Sequence, residues 1–399
     1  MLHNKTIKII KSTVPVLQQH GETITGRFYD LMFQNHPELL NIFNQTNQKK
    51  NTQRTALANA VIAAAANIDQ LGKIIPIVKQ IGHKHRSIGI KAEHYPIVGK
   101  YLMLAIKDVL GETATPVIMQ AWEKAYGVIA DVFIEIEKEM YEQAEQQSGG
   151  WKEYKPCVIA KKVRESTEIT SFYLKPEDGK PLPDFQAGQY ISIKVQIPDS
   201  EYTQIRQYSL SDMPGKDYYR ISVKKDGVVS SYLHDGLDEG DSVEISAPAG
   251  GFVLDASSQK DLVLISAGVG ITPMISMLKT SVSKQPERQI LFIHAAKNSE
   301  YHALRHEVEE AANHFPLKIA FVYREPTEED RAGDLQFHEG QIDQQFLKKL
   351  IANTGADYYI CGSQSFITTM HKLVSNLGST PESIHYELFG PQLSMAQPV

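Results

Sequence analysis

The stretch IGHKHRSIGIKAEHY, residues 81–95, decides how the first third of the chain is read. His83 and His85 stand two apart in a segment of helical pattern, and side chains two apart on a helix point to nearly opposite sides. The two imidazoles therefore do not share one ligand. The apolar stripe entering the segment, Ile74, Ile75, Val78 and Ile81, leads to His85 rather than His83 when continued by three or four residues. An imidazole that closes an apolar stripe is either satisfied by its neighbours or presented to a pocket as a ligand. His83 takes the first reading, and the rest of the chain decides for His85.

Residues 1–140 are helical in pattern throughout. Ile7, Ile10, Val14 and Leu17 recur at spacings of three and four, as do Val117, Ala121, Ala125, Val128 and Val132, and no run alternates like a strand. Within this part NHPELLNIF predicts a helix opened by Pro37 in its first turn. QAEQQSGGWKEYKP, residues 143–156, is polar and aperiodic, which places a boundary near 148 and a linker over 141–151.

Beyond it, CVIAKKV, EITSFYL, QYISIKVQI, RQYSLS, YYRISVKK and SVEISAP are short strands separated by turn signals such as MPGKD and DEGD. They predict a small antiparallel β-barrel over 152–257. Over 258–399 the strands DLVLISAG, QILFIHAA, LKIAFVY and DYYICG alternate with helical segments, the pattern of an α/β doubly wound parallel sheet. The expected architecture is thus multidomain: all-α, then antiparallel barrel, then α/β.

The 399 residues suffice for two or three well-packed domains, and the net charge of -6 with scattered basic residues argues against nucleic acid or an anionic membrane as partner. A small molecule is the better expectation. Two cysteines, Cys157 and Cys361, form no disulfide framework and no cysteine-based metal site. The opening MLHNKTIKIIKSTVP breaks each apolar run with Lys or Pro, and AVIAAAA at 60–66 is far short of the roughly 20 residues that span a bilayer. A cytoplasmic protein without membrane insertion is expected.

LVLISAGVGITPMISML joins a buried strand to Gly268, Val269 and Gly270, after which Ile271, Thr272 and Pro273 open a helix, with Thr272 expected as its N-cap. Glycines there let backbone N–H groups approach a pyrophosphate at the helix's positive end. The pattern is GxGxxP rather than GxGxxG, and an ordinary strand-to-helix turn is the competing reading. In RQYSL, Arg206 and Tyr208 share one strand face and Ser209 takes the other, suited to a phosphate, a flavin ring and a ring nitrogen respectively. The competing reading is an edge strand with an exposed Arg.

The order barrel with RxYS, strand-GVG-helix, YICG at 359–362 and HYELFG at 385–390 resembles the ferredoxin–NADP reductase-like flavoproteins. That resemblance implies that Arg206, Gln207, Tyr208, Ser209 and Tyr190 bind FAD and that Gly268 through Pro273 bind the nicotinamide dinucleotide. It also implies that Cys361 brings the nicotinamide to the flavin and that Phe389 covers the ring. Read from spacing alone, Cys361 is a small buried hydrophobe. Ser363 departs from the family, which has Pro there, as does Gly251, where an acidic residue is common. No acidic residue ends the second strand of this part to grip a ribose, and Arg324 follows the third, which favours NADPH while leaving NADH open.

Residues 1–140 resemble a globin: Pro37 at a helix start, Phe43 against the porphyrin, and His85 in the proximal, iron-ligating position. Together the two halves resemble a bacterial flavohaemoglobin. This implies haem b, FAD and NADPH or NADH as cofactors, and oxidation of NO by O2 to nitrate. Tyr29, Gln53 and Leu57 then line the distal side, Tyr29 and Gln53 donating to bound O2. Tyr95 and Glu137 stand behind His85, raising its basicity, and Lys84 lies near the domain junction. No obligatory protein partner is implied. Without the resemblance, Tyr29 and Tyr95 read as core phenols and Gln53 and Glu137 as solvated helix residues. Rival functions are a flavin reductase with a helical partner-docking domain and a haem O2 carrier or sensor.

Overall fold

The computed structural model describes residues 2–43 and 52–390. Five long helices build the N-terminal part: α1 Asn4–Asn35, α2 Thr52–Ala66, α3 Ile75–Ile88, α4 His94–Leu110 and α5 Pro116–Gln146. Helices α1, α2, α4 and α5 share one apolar core containing Ile10, Phe28, Met32, Leu102, Ile106 and Trp122, and Val78 of α3 packs in a smaller cluster with Ala64 and Ile74. Pro37 does open an element, but a single 3-10 stretch, Pro37–Asn41, rather than an α-helix. Five residues offer too few i to i−4 bonds to hold a regular turn. Helix α5 starts at Pro116, capped by the Thr115 hydroxyl, and continues six residues past 140, burying Ala144.

Strands β1 Tyr154–Arg164, β2 Ile169–Pro176, β3 Tyr190–Val195, β4 Gln204–Ser209, β5 Tyr219–Lys224 and β6 Ser242–Ser246 form one sheet ordered β4-β3-β6-β1-β2-β5, with every pairing antiparallel. A bridge between Leu210 and Ile221, with the Ser211 amide donating to the Arg220 carbonyl at 2.8 Å, links the two edges. Closure removes exposed strand edges. A short helix not expected from sequence, α6 Val228–Asp235, packs Val229 and Leu233 into the barrel core.

The C-terminal sheet comprises β7 Leu262–Ala267, β8 Ile290–Ala296, β9 Leu317–Tyr323, β10 His338–Glu339, β11 Asp357–Gly362 and β12 Ile384–Leu388. It is parallel throughout, in the order β10-β9-β8-β7-β11-β12. Helices α7 Ile271–Lys284 and α8 Arg305–His314 help to cover one face, and α10 Gln344–Leu350 and α11 Gln364–Ser375 the other; α9 Glu328–Ala332 lies in the loop after β9. The chain reverses its direction of travel between β7 and β11, so the switch point falls where β7 runs into Gly268.

Polar contacts tie the three parts together. Thr203, just before β4, donates its amide to Asn41 Oδ1 at 2.9 Å, and the Tyr154 hydroxyl donates to the Ser87 carbonyl at 2.8 Å. Across the second junction, Lys279 of α7 pairs with Asp212 and, at 2.9 Å, with Glu307, which also binds the buried Arg220. Among the described residues no helix is long and apolar enough to cross a membrane.

Candidate functional site

Helix α3 ends three residues after His85 because Gly89 adopts a left-handed conformation, φ +83°, with its amide and that of Ile90 closing on the carbonyls of Arg86 and His85. The reversal leads straight into α4, whose first turn carries Tyr95 back against His85. Glu137 arrives from α5. Its Oε1 lies 2.7 Å from His85 Nδ1 and accepts from the Tyr95 hydroxyl at 2.7 Å, while Tyr95 lies 3.3 Å from the same nitrogen. Glu137 is only 3% exposed, so its oxygen is satisfied by these two partners rather than by water. Burial and the adjacent carboxylate push the Tyr95 phenol well above its ordinary pKa, keeping it a neutral donor.

A further hydroxyl supports the group: Tyr126 donates to the Tyr95 carbonyl at 2.6 Å. Tyr126 fits because position 99 is glycine, where a Cβ would stand 2.5 Å from its ring. The donor set suits haem. His85 has one nitrogen committed to a buried carboxylate, which orients the ring and leaves Nε2 as the atom that could bind iron. Phe133 flanks the imidazole at 6.0 Å between ring centres.

On the other side, buried Tyr29 stacks on Phe33 at 5.7 Å and meets Phe43 edge-on at 5.9 Å. Leu57 packs against the same core, and Gln53 is half-buried on α2. Lys84 is also half-buried, and loss of water lowers its pKa. His83 lies at the barrel junction, its Nδ1 buried without a partner and its pKa lowered to about 4 by burial, with Arg86 and Lys79 adding to the effect. A Cβ at Gly251 would be 3.8 Å from His83, in ordinary contact, so a side chain at 251 would stand against this ring.

In the barrel, Tyr190 pairs with Ser209 and Ile191 with Tyr208 across β3 and β4. Ser209 is buried, Arg206 and Tyr208 are half-buried on the alternate face, and Gln207 Nε2 donates to Ser192 at 3.1 Å. At the sheet's carboxyl end Gly268 adopts φ +54° with nothing within 4 Å of a notional Cβ, leaving its backbone open to a phosphate. Gly270 is different: a Cβ there would lie 2.4 Å from the Cys361 carbonyl. Thr272 is not the N-cap. Gly270 takes that position, and the Thr272 hydroxyl instead donates to the Val269 carbonyl at 3.0 Å from the first turn of α7. The glycine turn starts the helix earlier than the threonine suggests.

Cys361 is fully buried, and burial first, then Glu387, pushes its thiol pKa well up. It pairs with Glu387 of β12, whose Oε2 is buried without a partner among the described residues and whose carboxyl burial pushes up to about 8. An orphaned oxygen between Cys361 and the Tyr190 region fits a bound flavin edge better than a closed core. Phe389, one residue past β12, is 44% exposed. Ser363, the departure from Pro, caps α11 by accepting from the Phe366 amide.

Three family models match consecutive parts of the chain: Globin over 26–133, Oxidoreductase FAD-binding domain over 156–254 and Oxidoreductase NAD-binding domain over 264–372. A flavohemoprotein of Bacillus subtilis (strain 168) is 89% identical over 399 residues, covering 100% of both chains. The chain belongs to the flavohemoprotein family.

As a flavohemoprotein it is an oxidoreductase with a fused globin and reductase. The fold agrees: the crystal structure of a Malassezia yamatoensis flavohemoglobin with bound FAD and heme superimposes with a TM-score of 0.87 at 29% identity, covering 98% of this chain and 100% of that one. The FAD/NAD-binding part of a Vibrio cholerae nitric oxide dioxygenase is 36% identical with a TM-score of 0.55, covering 59% of this chain and 99% of that one. Sequence reading of this flavohemoprotein missed Tyr126, Arg86 and Glu387. Arg86 is buried and donates to the Pro248 carbonyl of the barrel. Only Glu387 carried a signal, as the single charged residue of ELFG.

Proposed function

We propose that this flavohemoprotein is a nitric oxide dioxygenase that converts NO and O2 to nitrate at the expense of NAD(P)H. The observation that carries the reading is the 2.7 Å contact of His85 Nδ1 with Glu137, an oriented ligand imidazole in the same chain as an open glycine loop after β7. Bound haem would supply the iron for O2 and NO, and bound FAD the exchange of a hydride for single electrons.

The residues divide the work. His85 holds iron through Nε2, and Glu137 with Tyr95 keeps its other nitrogen hydrogen-bonded, which raises the imidazole's electron donation. Tyr29 and Gln53 donate hydrogen bonds to O2 in a pocket that Leu57 and Phe43 keep apolar. Arg206, Gln207, Tyr208, Ser209 and Tyr190 hold FAD, Gly268 through Pro273 the dinucleotide, and Cys361 and Phe389 the nicotinamide end. Lys84, beside His85, stands near the domain junction. In this reading 1–140 carries haem, 141–151 connects, 152–257 carries FAD and 258–399 the nucleotide. The free, buried Cys157 and Cys361 suit a reducing cytoplasm.

The purified protein should show a Soret band together with flavin absorbance and consume NO rapidly under air with NADPH or NADH. His85→Ala should lose the Soret band on haem reconstitution and keep the flavin. A colourless protein, or a His85→Ala variant with unchanged haem spectrum, overturns the reading.

A further inference from the structure

We propose that Asp212, Arg220, Lys279 and Glu307 are positioning residues for hydride transfer: one charge network at the second junction fixes the rotation of the α/β part on the barrel, and with it the placement of the nicotinamide against the flavin. The proposal rests on the reading of the Ser209 strand as a flavin site and of the Gly268 loop as a dinucleotide site.

The network joins the two elements that carry those sites. Asp212 lies three residues beyond Ser209, the last residue of β4, and Lys279 lies on α7, which starts directly after Gly270. The Ser276 hydroxyl, three residues before Lys279 on that helix, donates to the Asp212 carbonyl at 2.8 Å, and the Lys279 ammonium donates to the Asp212 carboxylate. One helix face thus grips one barrel residue twice. Arg220 of β5 reaches across from the barrel. Its Nε donates to the Ser211 hydroxyl at 3.2 Å, and its guanidinium takes both oxygens of Glu307 on α8, Nη2 meeting Oε2 at 3.1 Å. Lys279 Nζ closes the circuit on Glu307 Oε2 at 2.9 Å, and the Tyr218 hydroxyl donates to Asp212 Oδ2 at 2.9 Å.

The apolar part of the same junction packs Ala187, Phe252 and Leu254 with Met274 and Met277 of α7 in one core. Burial of that kind is non-directional, so it holds two surfaces together without choosing an angle between them. Charge-assisted hydrogen bonds do have directions, and a bidentate guanidinium–carboxylate pair fixes orientation as well as distance. Arg220 and Asp212 are only 3% and 6% exposed, so a rotation that parted the network would strand buried charges.

In the hydride step a C–H bond of the reduced nicotinamide breaks with its electron pair and an N–H bond forms on the oxidised flavin; the nicotinamide is left a cation and the flavin gains a negative charge. The reacting atoms have to stand about 3–3.5 Å apart, and about 1 Å of misplacement can cost on the order of 10²-fold in rate. Donor and acceptor are carried on opposite sides of the junction. The network therefore acts on the rate of this step rather than on affinity for the dinucleotide.

Anaerobic rapid mixing of the holoprotein with NADPH or NADH, followed at the flavin absorbance, tests this. Lys279→Met and Glu307→Gln should each lower the limiting rate of flavin reduction about tenfold or more, with the dinucleotide concentration at half-maximal rate nearly unchanged. The double variant should be scarcely slower than the worse single one, because both break one network. Lys279→Arg, which keeps the charge, should regain most of the rate. The long-wavelength absorbance of oxidised nicotinamide against reduced flavin should weaken in the slow variants and return in the rescued one. Unchanged limiting rates overturn the proposal. So do losses in which rate, half-saturation and melting temperature all move together without rescue by Lys279→Arg, the signature of a purely structural contact. A flavin that no dinucleotide reduces even in the unaltered protein overturns the underlying reading, and the proposal with it.

Discussion

Glu137 in the helical part and Glu387 at the end of the α/β sheet are both carboxylates withdrawn from water, yet they are treated oppositely. Glu137 accepts hydrogen bonds at 2.7 Å from Tyr95 and from His85. Glu387 keeps an oxygen with no partner among the described residues, and burial pushes its carboxyl up to about 8. Among the described residues the first site is completed from within the chain, whereas one oxygen of the second is left for another group to meet. The difference teaches where each centre is rigid: the wall behind His85 is organised in advance, whereas the surface between Cys361 and Tyr190 tolerates a cost that a ligand can relieve.

Removing the satisfied carboxylate should cost most. Glu137→Ala strands the Tyr95 hydroxyl and frees His85, and is expected to lower stability by about 2–4 kcal/mol. Haem affinity should fall roughly 10–100-fold. Thermal unfolding and haem transfer to an apo-acceptor measure these, and unchanged values would erase the contrast.

The orphaned carboxylate should respond with the opposite sign. Its folded pKa, about 8, lies above the ordinary value of 4.5, so between those values the folded state holds a proton the unfolded state has lost. Stability therefore falls as pH rises from about 4.5 to 8. Glu387→Gln should remove that slope, raising stability at pH 8 by on the order of 4 kcal/mol while changing little at pH 4.5. Equal melting shifts at both pH values would show that Glu387 has a partner after all.

Tyr95→Phe sharpens the comparison at the smallest scale. It deletes one of two donors to Glu137 but leaves His85 in place, for an expected loss of about 1 kcal/mol. A loss matching that of Glu137→Ala would mean that Glu137 is held chiefly through Tyr95.

These residues also mark how far sequence reading reached. His85 was legible because an apolar stripe of helical period runs into it, and the glycines of GVG because a strand pattern precedes them. The likeness to known flavohaemoglobins then pointed to Tyr95 and Glu137. Spacing alone made Tyr95 a core phenol and Glu137 a solvated residue, since nothing local indicates that position 137 faces another helix's imidazole. Tyr126 was invisible, because its role depends on the absent side chain of Gly99 on a different helix. The role of Thr272 was misplaced because Gly268 can adopt a positive φ, and the helix begins before the residue with the better capping side chain.

By itself the sequence determined most of the helices and strands, their order as an all-α part, a barrel and a parallel sheet, and the local patterns from which a site could be read, an imidazole ending an apolar stripe and a pair of glycines after a strand. Those properties follow from periodicity and from side-chain type, both written locally. Only the tertiary structure decided which buried groups are satisfied, that Thr203 meets Asn41, that Lys297 and Arg324 share Glu325, and that Glu387 is left unpaired. Pairing between residues distant in the chain depends on distances of a few ångströms that packing sets, and no local pattern encodes them.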